Sequence, residues 1–392
     1  MRKFKHDAVI VGGLGHVGLP LGIVFADKGL GVCLFDLDSR KARAVRKGHM
    51  PFIEYGADEI LPRVIKNGNL RISTDPICVS DAEFVIVAIG TPMDEYLNPK
   101  MRQFLDFFKT LAVNLAKEQT IIIRSTVFPQ TCRQIQEMLG SKWKIAYCPE
   151  RIVQGHAVEE LAKLPQIVSG YNGQAVNDAE RLFRIISPKV IRTTVEEAEM
   201  VKLFSNAWRY IQFAAANQFY MLCSSHGVDF DRVRKTMVES YERSASLPKP
   251  GFAAGPCLLK DTMQLCSFSG NSFHLGQSAM LVNEGMPNFI VESLKQKHGE
   301  LKGRRIGILG MAFKADIDDI RDSLSYKLGK ILRFYGADVS YSDEFAQDPT
   351  FVKKEVILKR CDIIILGVPH SAYRNLKVRT GAELVDIWGF LS

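Results

Sequence analysis

The sequence predicts an α/β fold in three parts: a parallel-sheet domain, a long-helix domain and a second, smaller parallel-sheet domain. Three observations carry this prediction: a strand-helix-strand opening around a glycine-rich turn, one long helical pattern in mid-chain, and a renewed series of strands and helices after it. With 392 residues, the chain is also too long for a single core. We expect the boundaries at 1–194, 195–297 and 298–392.

The opening strand, Ala8–Val11, leads through the glycine-rich turn into a helix over Leu19–Lys28 and a second strand over Gly31–Phe35. The turn fits the pattern G-x-G-x-x-G and consists of Gly13, Leu14, Gly15, His16, Val17 and Gly18. Its glycines permit a tight turn and a close approach of the backbone to a pyrophosphate. Because the turn follows a strand and opens a helix, we predict an N-terminal Rossmann domain that binds a dinucleotide.

Asp36, at the end of the second predicted strand, indicates which dinucleotide binds. Its carboxylate can accept hydrogen bonds from a ribose diol and its charge repels a ribose phosphate, so the predicted cofactor is NAD. Lys41 lies just beyond, together with Arg40, and these positive charges slightly weaken the exclusion of NADP. We expect Lys41 to lie at the cofactor.

Three further strand-like runs end in polar turns. The runs are Phe84–Gly90, Thr120–Ser125 and Lys144–Cys148. Open α/β sheets bind their ligands beyond the carboxyl ends of the strands, so Thr91, Thr126 and Glu150 should converge on one crevice. A single threonine in such a place can equally be a turn or helix-cap residue.

One long helix is predicted from Val195 to about Gly227, because no Pro or Gly interrupts its apolar pattern. That pattern consists of Met200, Leu203, Phe204, Ala207, Trp208, Ile211, Ala215 and Phe219. Lys202 and Asn206 are one turn apart on a shared face, which suits holding an oxygen, although a helical lysine usually only faces water. The apolar stripe is expected either in a dimer interface or buried within one chain.

The segment GFAAGPCLLKD, from Gly251 to Asp261, places one cysteine in a glycine-lined loop directly before a lysine and a carboxylate. A thiol at the start of a helical segment and near Lys260 has the positive surroundings that favour a nucleophilic thiolate. Taken alone, Cys257 would more often be a buried small hydrophobic residue. Because the chain also carries other candidate catalytic residues, we predict that Cys257 is a nucleophile.

After a charged linker around His298–Arg305, strand and helix patterns start again. The predicted strands are Ile306–Gly310, Ala337–Tyr341 and Asp362–Val368, and the predicted helix is Ser323–Tyr335. The first turn of this C-terminal Rossmann-like domain lacks the glycine fingerprint, which argues against a second dinucleotide. Lys314 and Arg321 in that turn are instead candidates to meet phosphates or a base.

Composition argues against several other classes of protein. The formal net charge is +8, but the basic residues are interleaved with 43 acidic ones and form no aromatic-basic repeat, so nucleic acid is not an expected partner. The eight cysteines form no C-x-x-C pair, which argues against a metal site and a disulfide framework. Without a membrane-spanning run or a signal peptide, we expect a cytoplasmic protein with no membrane partner.

Over essentially its whole length, the chain resembles the UDP-glucose/GDP-mannose dehydrogenase family, the nucleotide-sugar 6-dehydrogenases. The resemblance rests on seven motifs in family order: GLGHVGLP, GTPMDE, STVFPQT, CPER, EMVKLFSNAW, GFAAGPCLLKD and GMAFKADIDDIRDS. It implies an NAD-dependent, four-electron oxidation of the sugar's carbon 6 from a primary alcohol to a carboxylate. A homodimer or higher homo-oligomer is expected.

The resemblance also implies roles for individual residues. Cys257 attacks the aldehyde formed first and gives a thiohemiacetal and then a thioester. Lys202 and Asn206 stabilise the oxyanions, while Glu150 and Asp261, with Thr126, transfer protons and activate the hydrolytic water. Besides the glycine-rich turn, the implied cofactor contacts are Asp36, Lys41, Thr91, Thr126, Lys260 and Arg321. The implied substrate contacts are Glu150, Arg151, Lys202, Asn206, Arg243, Phe252, Gly255, Phe313 and Lys314, with Arg243 reaching the neighbouring subunit's site.

Departures from the common family pattern bear on the substrate. Many members carry a GFGGSCFPKD-like loop, whereas this chain has Ala253, Ala254 and Pro256 before the cysteine. Arg151 and Gln154 stand where UDP-glucose enzymes have a hydrophobic residue and a second glutamate. CPER and FAAGPC look more like the branch that oxidises UDP-N-acetylhexosamines, such as UDP-N-acetylmannosamine. UDP-glucose is the second choice and GDP-mannose the third.

Two other classes stay open on the residues alone. A two-electron β-hydroxyacid dehydrogenase of the 6-phosphogluconate type also joins a Rossmann domain to a long-helix domain, but it needs neither Cys257 nor a second α/β domain. A non-catalytic sensor of NAD or nucleotide sugars gives no reason for the Cys, Lys, Asn, Glu and Asp candidates to occur together. The yield of NADH per sugar separates the three classes: two, one or none.

Overall fold

The structure is a computed structural model that describes residues 4–91, 94 and 99–391. Pro92, Met93 and Glu95 of the GTPMDE motif lie outside the described residues. By its internal packing, the chain divides into two compact units, Met1–Phe204 and Ser205–Ser392.

The first unit is built on an eight-stranded sheet. Its strands are β1 (His6–Val11), β2 (Val32–Phe35), β3 (Leu70–Ser73), β4 (Ala82–Val87), β5 (Thr120–Ile123), β6 (Lys144–Tyr147), β7 (Gln166–Gly170) and β8 (Val190–Arg192). They are neighbours in the order β3-β2-β1-β4-β5-β6-β7-β8, and only the β6–β7 pair is antiparallel. The chain order reverses at β1, which lies between β2 and β4. Such a switch point is where α/β sheets bind nucleotides.

The central strands of this sheet are apolar on both faces, so helices pack on both sides. Ala8 and Ile10 of β1 point into one hydrophobic cluster, and Val9 and Val11 point into the other. The helices are α1 (Gly18–Asp27), α2 (Ser39–Arg46), α3 (Ala57–Lys66), α4 (Met101–Ala112), α5 (Thr131–Leu139), α6 (Ala157–Lys163) and α7 (Gly173–Phe183). A 3-10 helix, Pro76–Asp81, precedes β4.

A 31-residue helix, α8 (Val195–Ser225), begins in the first unit and ends in the second. Near its start, the buried carboxylate of Glu199 accepts the N–H groups of Gln130 at 2.7 Å and Cys132 at 3.0 Å, where α5 begins. Burial raises the pKa of Glu199, while the N–H groups oppose that rise. The start of α8 therefore caps a helix of the sheet domain.

The second unit contains further helices and a four-stranded parallel sheet. Its helices are α9 (Phe230–Val238), α10 (Leu258–Phe268), α11 (His274–His298), α12 (Leu324–Phe334) and α13 (Lys354–Arg360), with short 3-10 helices at Glu242–Ser244 and Ser371–Tyr373. Its strands are β9 (Arg305–Leu309), β10 (Asp338–Ser342), β11 (Ile363–Leu366) and β12 (Glu383–Val385). They are neighbours in the order β10-β9-β11-β12, and α11 and α12 pack together beside them.

The α/β fold class predicted from the sequence is confirmed: a Rossmann sheet precedes the long helix, and a smaller Rossmann-like sheet follows it. The predicted helix over Val195–Gly227 ends at Ser225, two residues early. None of the helices that the structure describes is long and apolar enough to cross a membrane.

Candidate active site

The glycine-rich turn lies at the switch point, between the end of β1 and the start of α1. Gly18 begins α1, and a Cβ at this position would overlap the carbonyl oxygen of Gly12. Only glycine therefore lets the helix start this close to the strand. Val17 precedes α1, and its side chain makes no capping hydrogen bond. The first N–H groups of α1 suit an anion such as a pyrophosphate.

Asp36 follows β2 directly and is bonded to this turn. Its Oδ2 accepts the N–H of Leu14 at 3.0 Å, and its Oδ1 accepts that of Asp38 at 3.0 Å. A carboxylate has about four acceptor sites, so Asp36 can hold the turn and also accept from a ribose diol. Lys41 follows Asp36 by five residues, in the first turn of α2, and its side chain is half-buried. Together, turn and carboxylate fit the pyrophosphate and ribose of NAD.

Three of the predicted site residues follow neighbouring strands: Thr91 after β4, Thr126 after β5 and Glu150 after β6. The hydroxyl of Ser125 donates to the carbonyl oxygen of Ile89 at 2.7 Å, which ties the turn after β5 to the turn after β4. The three turns thus lie along one edge of the sheet.

Glu150 forms an ion pair with Arg124, whose side chain is completely buried. The same guanidinium donates to the carbonyl oxygen of Cys148 at 3.0 Å and to Oε1 of Gln166 at 2.8 Å. Its carbon lies 4.6 Å from the centre of the Phe183 ring. Arg124 therefore joins the ends of β5 and β6 to the start of β7.

The second oxygen of Glu150 is also occupied, because Oε1 accepts the N–H groups of Arg151 at 2.7 Å and Ile152 at 3.0 Å. The guanidinium of Arg151 donates to the carbonyl oxygen of Pro165 at 2.6 Å. In the first unit, Glu150 and Arg151 thus fix the shape of the turn after β6.

In the second unit, Cys257 is exposed and directly precedes α10. Its thiol therefore lies at the positive end of a helix, which favours the thiolate. Asp261 follows one turn later and is 1% exposed. Its Oδ2 accepts a hydrogen bond of 2.6 Å from the amide of Asn206. Its Oδ1 makes no hydrogen bond to the described residues and lies 3.7 Å from the ammonium of Lys260.

The loop before Cys257 packs against the loop between β9 and α12. Gly255 has φ +102°, and a Cβ there would overlap the ring of Phe313. The N–H of Gly255 also donates to the carbonyl oxygen of Asp322 at 3.3 Å. Only glycine fits this combination of backbone angle and contact.

Arg321 lies in the same loop and binds the Asp319 carboxylate through Nε at 2.9 Å and Nη2 at 2.6 Å. The hydrogen bonds from Arg321 to Asp319 raise the pKa of Arg321, with a smaller contribution from the charge of Cys257. Arg321 therefore lies near Cys257.

The remaining predicted residues have less specific surroundings. Phe252 is buried in the core of the second unit, and the side chain of Lys314 is half-buried. Lys202 is half-buried on α8, and Arg243 is exposed on the 3-10 helix Glu242–Ser244.

Sequence reasoning missed two buried polar residues, one in each unit: Arg124, which joins the strand ends of the first unit, and His370, which bonds to Asp316 and Asp343 in the second. Arg124 directly follows the run Thr120–Ile123, and a charged residue directly after a buried strand was a signal that a buried partner exists. His370 lies four residues after the strand run Ile363–Leu366, and no comparable sequence signal marks its position.

The sequence profile of the NAD binding domain of the UDP-glucose/GDP-mannose dehydrogenase family matches residues 7–187. The profile of the family's central domain matches residues 196–285, and that of its UDP binding domain matches residues 307–391. Among the described residues, no three His, Cys, Asp or Glu side chains are grouped so that they could hold a metal ion.

Individual proteins show the same similarity. The chain is 28% identical over 387 residues to the UDP-N-acetyl-D-mannosamine dehydrogenase of Pyrococcus horikoshii, covering 94% of this chain and 90% of that protein. It is 26% identical over 393 residues to the NDP-N-acetyl-D-galactosaminuronic acid dehydrogenase of Ralstonia nicotianae, covering 94% and 92%. The solved structure of the UDP-D-ManNAc dehydrogenase from Pyrococcus horikoshii has a TM-score of 0.89 at 25% identity and covers 98% of this chain and 100% of that one. The chain therefore belongs to the UDP-glucose/GDP-mannose dehydrogenase family, and it is an oxidoreductase whose cofactor is NAD.

Proposed function

We propose that this enzyme oxidises carbon 6 of a UDP-sugar from a primary alcohol to a carboxylate, through an adduct on Cys257. The observation that carries the proposal is the exposed thiol of Cys257 at the start of α10, one turn before the buried carboxylate of Asp261. A two-electron dehydrogenase and a sensor have no use for a nucleophile in this position.

The proposed reaction at Cys257 has three steps: addition, oxidation and hydrolysis. The sulfur adds to the carbon of the aldehyde, whose oxygen takes up a proton and becomes the hydroxyl of a thiohemiacetal. Loss of a hydride from that carbon and of a proton from that hydroxyl leaves a thioester. Water then attacks the thioester carbon, the acid forms and the thiolate leaves. NAD supplies the hydride acceptor, one molecule for each oxidation, held by the glycine-rich turn and Asp36.

Asp261 is the stronger candidate to activate the hydrolytic water. Its Oδ2 is fixed by Asn206, while Oδ1 makes no hydrogen bond to the described residues and can accept a proton from water. Both oxygens of Glu150 are occupied by Arg124 and by backbone N–H groups. We therefore assign Glu150 to shaping the substrate turn and Thr126 to orienting the water.

Asn206 and Lys202 are the proposed donors to the oxyanions. The amide of Asn206 has a second N–H besides the one that it gives to Asp261. Lys202 precedes it by one turn of α8 and adds a positive charge. The other proposed contacts of NAD are Lys41, Thr91, Lys260 and Arg321, and those of the UDP-sugar are Arg151, Phe252, Gly255, Phe313 and Lys314.

The match to the family's UDP binding domain supports a UDP-sugar as substrate. Within that class we propose a UDP-N-acetylhexosamine, with UDP-N-acetyl-D-mannosamine first, because several similar proteins are named for this substrate. UDP-glucose is the alternative, since the Cys257 chemistry is the same for both sugars.

The test is to offer UDP-N-acetyl-D-mannosamine, UDP-N-acetyl-D-galactosamine, UDP-glucose and GDP-mannose with NAD, and to count NADH and acid formed per sugar. Two NADH per UDP-N-acetyl-D-mannosamine, with uronic acid as product, is the expected result. One NADH with an aldehyde or ketone as end product would refute the four-electron reaction. Preference for UDP-glucose would refute only the choice of sugar.

We also propose a homodimer, formed through the exposed stripe, defined as Phe204, Trp208, Phe219 and Leu222 of α8. Trp208 is 59% exposed and Leu222 53%, whereas Leu203 and Tyr210 on the opposite face are buried. A helix with apolar residues on both faces can bury only one face within its own chain. The other face is most commonly buried against a second copy of the chain in a two-fold symmetric dimer. Arg243 is proposed to reach the partner's active site.

A further inference from the structure

The loop between β9 and α12, which we call the nucleotide loop and define as residues 310–323, has a strained backbone. Two of its non-glycine residues have positive φ, Asp316 at +59° and Asp322 at +52°. Such angles persist only where the surroundings hold them, and they occur often at ligand sites. The loop also carries Lys314 and Arg321, which are proposed to bind the substrate and NAD.

His370, in the turn after β11, holds the strained residue Asp316 in place. The N–H of Asp316 donates to Nδ1 of His370 at 2.9 Å, and the N–H of Ser371 donates to Oδ1 of Asp316 at 2.7 Å. His370 is completely buried, with the rings of Phe345 and Tyr373 beside it. Because Nδ1 accepts a hydrogen bond, the ring proton must lie on Nε2.

That proton points at Asp343, which holds the other end of the same loop. Nε2 of His370 lies 3.0 Å from Oδ2 of Asp343, and this oxygen also accepts the N–H groups of Met311 at 2.6 Å and Ala312 at 2.9 Å. Burial alone would raise the pKa of Asp343, but hydrogen bonds from His370 and from backbone N–H groups lower it to about 2. Asp343 is thus a firm anionic anchor, and His370 connects it to the middle of the loop.

The nucleotide loop also contacts the segment that precedes Cys257. The ring of Phe313 covers Gly255, and the carbonyl oxygen of Asp322 accepts the N–H of Gly255 at 3.3 Å. A change in the middle of the loop would therefore move groups on both the nucleotide side and the cysteine side.

We propose that His370 is a positioning residue for the nucleotide half of the substrate: its Nδ1 sets Asp316, and with it the nucleotide loop, in the conformation that binds the UDP portion. The inference rests on the proposed function. Of the two hydrogen bonds of His370, the bond at Nδ1 is the one that matters for binding.

Two conservative variants separate these bonds. In His370→Asn, the side-chain oxygen can take the place of Nδ1 and accept the N–H of Asp316, while nothing reaches Asp343. In His370→Gln, the amide nitrogen can take the place of Nε2 and donate to Asp343, while no acceptor faces Asp316. Each variant buries one amide and loses one of the two hydrogen bonds of His370.

For the full-length enzyme, we expect His370→Gln to raise KM for the UDP-sugar, and Kd for UDP itself, by about tenfold, the order expected for one lost buried hydrogen bond. His370→Asn should stay within about threefold of the wild type. KM for NAD should change less than KM for the UDP-sugar in both, because the glycine-rich turn and Asp36 lie outside this loop. The affinity for UDP is measured by calorimetry without turnover, so it tests His370 even if no sugar of the panel is oxidised.

Equal losses in both variants, or a larger loss in His370→Asn, would overturn the proposal and leave His370 a packing residue. Should either variant fail to fold, Asp316 provides a second pair. Asp316→Asn keeps an acceptor for Ser371 and tolerates a positive φ, whereas Asp316→Ala does neither. We expect Asp316→Ala to weaken UDP binding and Asp316→Asn to preserve it; equal affinity in these two would also refute the proposal.

Discussion

The carboxylates of Glu150, Asp261 and Asp343 are all buried, but their oxygens are occupied in different ways. Glu150 faces Arg124 and two backbone N–H groups, and Asp343 faces His370 and four backbone N–H groups. Both are therefore structural anchors. Asp261 alone among these three keeps one oxygen without a hydrogen bond to the described residues. This difference favours Asp261 as the group that handles protons.

Replacing Cys257 by serine should abolish the release of acid. A serine hydroxyl is a poor nucleophile at neutral pH and its ester hydrolyses less readily than a thioester, so the second oxidation should stop. The measurement is acid and NADH formed per UDP-sugar in single-turnover and steady-state assays. Cys223→Ser, on α8, is the control and should behave like the wild type. Normal acid release by Cys257→Ser would exclude the covalent mechanism.

Removing the charge of Asp36 should weaken the discrimination between NAD and NADP. Asp36→Asn keeps an acceptor for Leu14 but loses the anion that repels a ribose phosphate. We expect kcat/KM for NAD to fall and the ratio of NADP to NAD turnover to rise by about tenfold or more, since one lost charge interaction near a phosphate is of this order. A ratio that does not change would assign Asp36 to holding the turn only.

At the scale of elements, the strand ends of the first unit are tied together by one buried cation. Arg124 after β5 binds Glu150 after β6 and Gln166 at the start of β7. The antiparallel β6–β7 pair is thus joined by side chains as well as by backbone bonds. Breaking a buried ion pair on one side leaves the other charge without compensation.

Glu150→Gln should therefore destabilise the protein by about 3–5 kcal/mol, the usual cost of an orphaned buried charge. The measurement is the midpoint of urea or thermal unfolding. Glu159→Gln is the matched control, because Glu159 forms an exposed pair with Lys163 within one helix and should leave the midpoint unchanged. A Glu150→Gln midpoint equal to that of the control would show that Arg124 finds another partner.

The sequence was sufficient to predict the elements that have a strong local signal, whereas the short strands β3, β7, β8 and β12 were not predicted. Runs of β-branched residues such as Ile121–Ile123 mark strands, and the uninterrupted pattern of α8 marks a helix. The strands β7 and β8 were not predicted, since β7 pairs antiparallel to β6 and its register depends on distant contacts. The bond from Asn206 to Asp261 joins positions 55 residues apart, and residue spacing carries no signal for it.

At the scale of the whole molecule, the exposed stripe of α8 is an apolar surface that a single chain leaves uncovered. Trp208 and Leu222 are each more than half exposed, although large apolar side chains on a long helix are normally covered. A two-fold partner would cover both. The interface itself and the sharing of an active site across it are testable separately.

Trp208→Glu should convert a dimer into a monomer, because a charge buried at the centre of a helical interface has no partner. The measurement is the sedimentation coefficient over a range of protein concentrations. Phe334→Glu is the control: Phe334 is 83% exposed at the end of α12, outside the stripe, and its replacement should not alter the assembly. A wild-type protein that sediments as a monomer would disprove the interface.

Mixing two inactive variants tests whether Arg243 serves the partner's site. In a mixed dimer of Arg243→Ala and Cys257→Ala subunits, the subunit that keeps Cys257 receives an intact Arg243 only if that residue comes from its partner. After free exchange of subunits at equal amounts, about half of the dimers are mixed and each has one intact site of two, so we expect about a quarter of wild-type activity. If Arg243 instead acts within its own subunit, neither site of the mixed dimer is complete, and the mixture stays as inactive as its components.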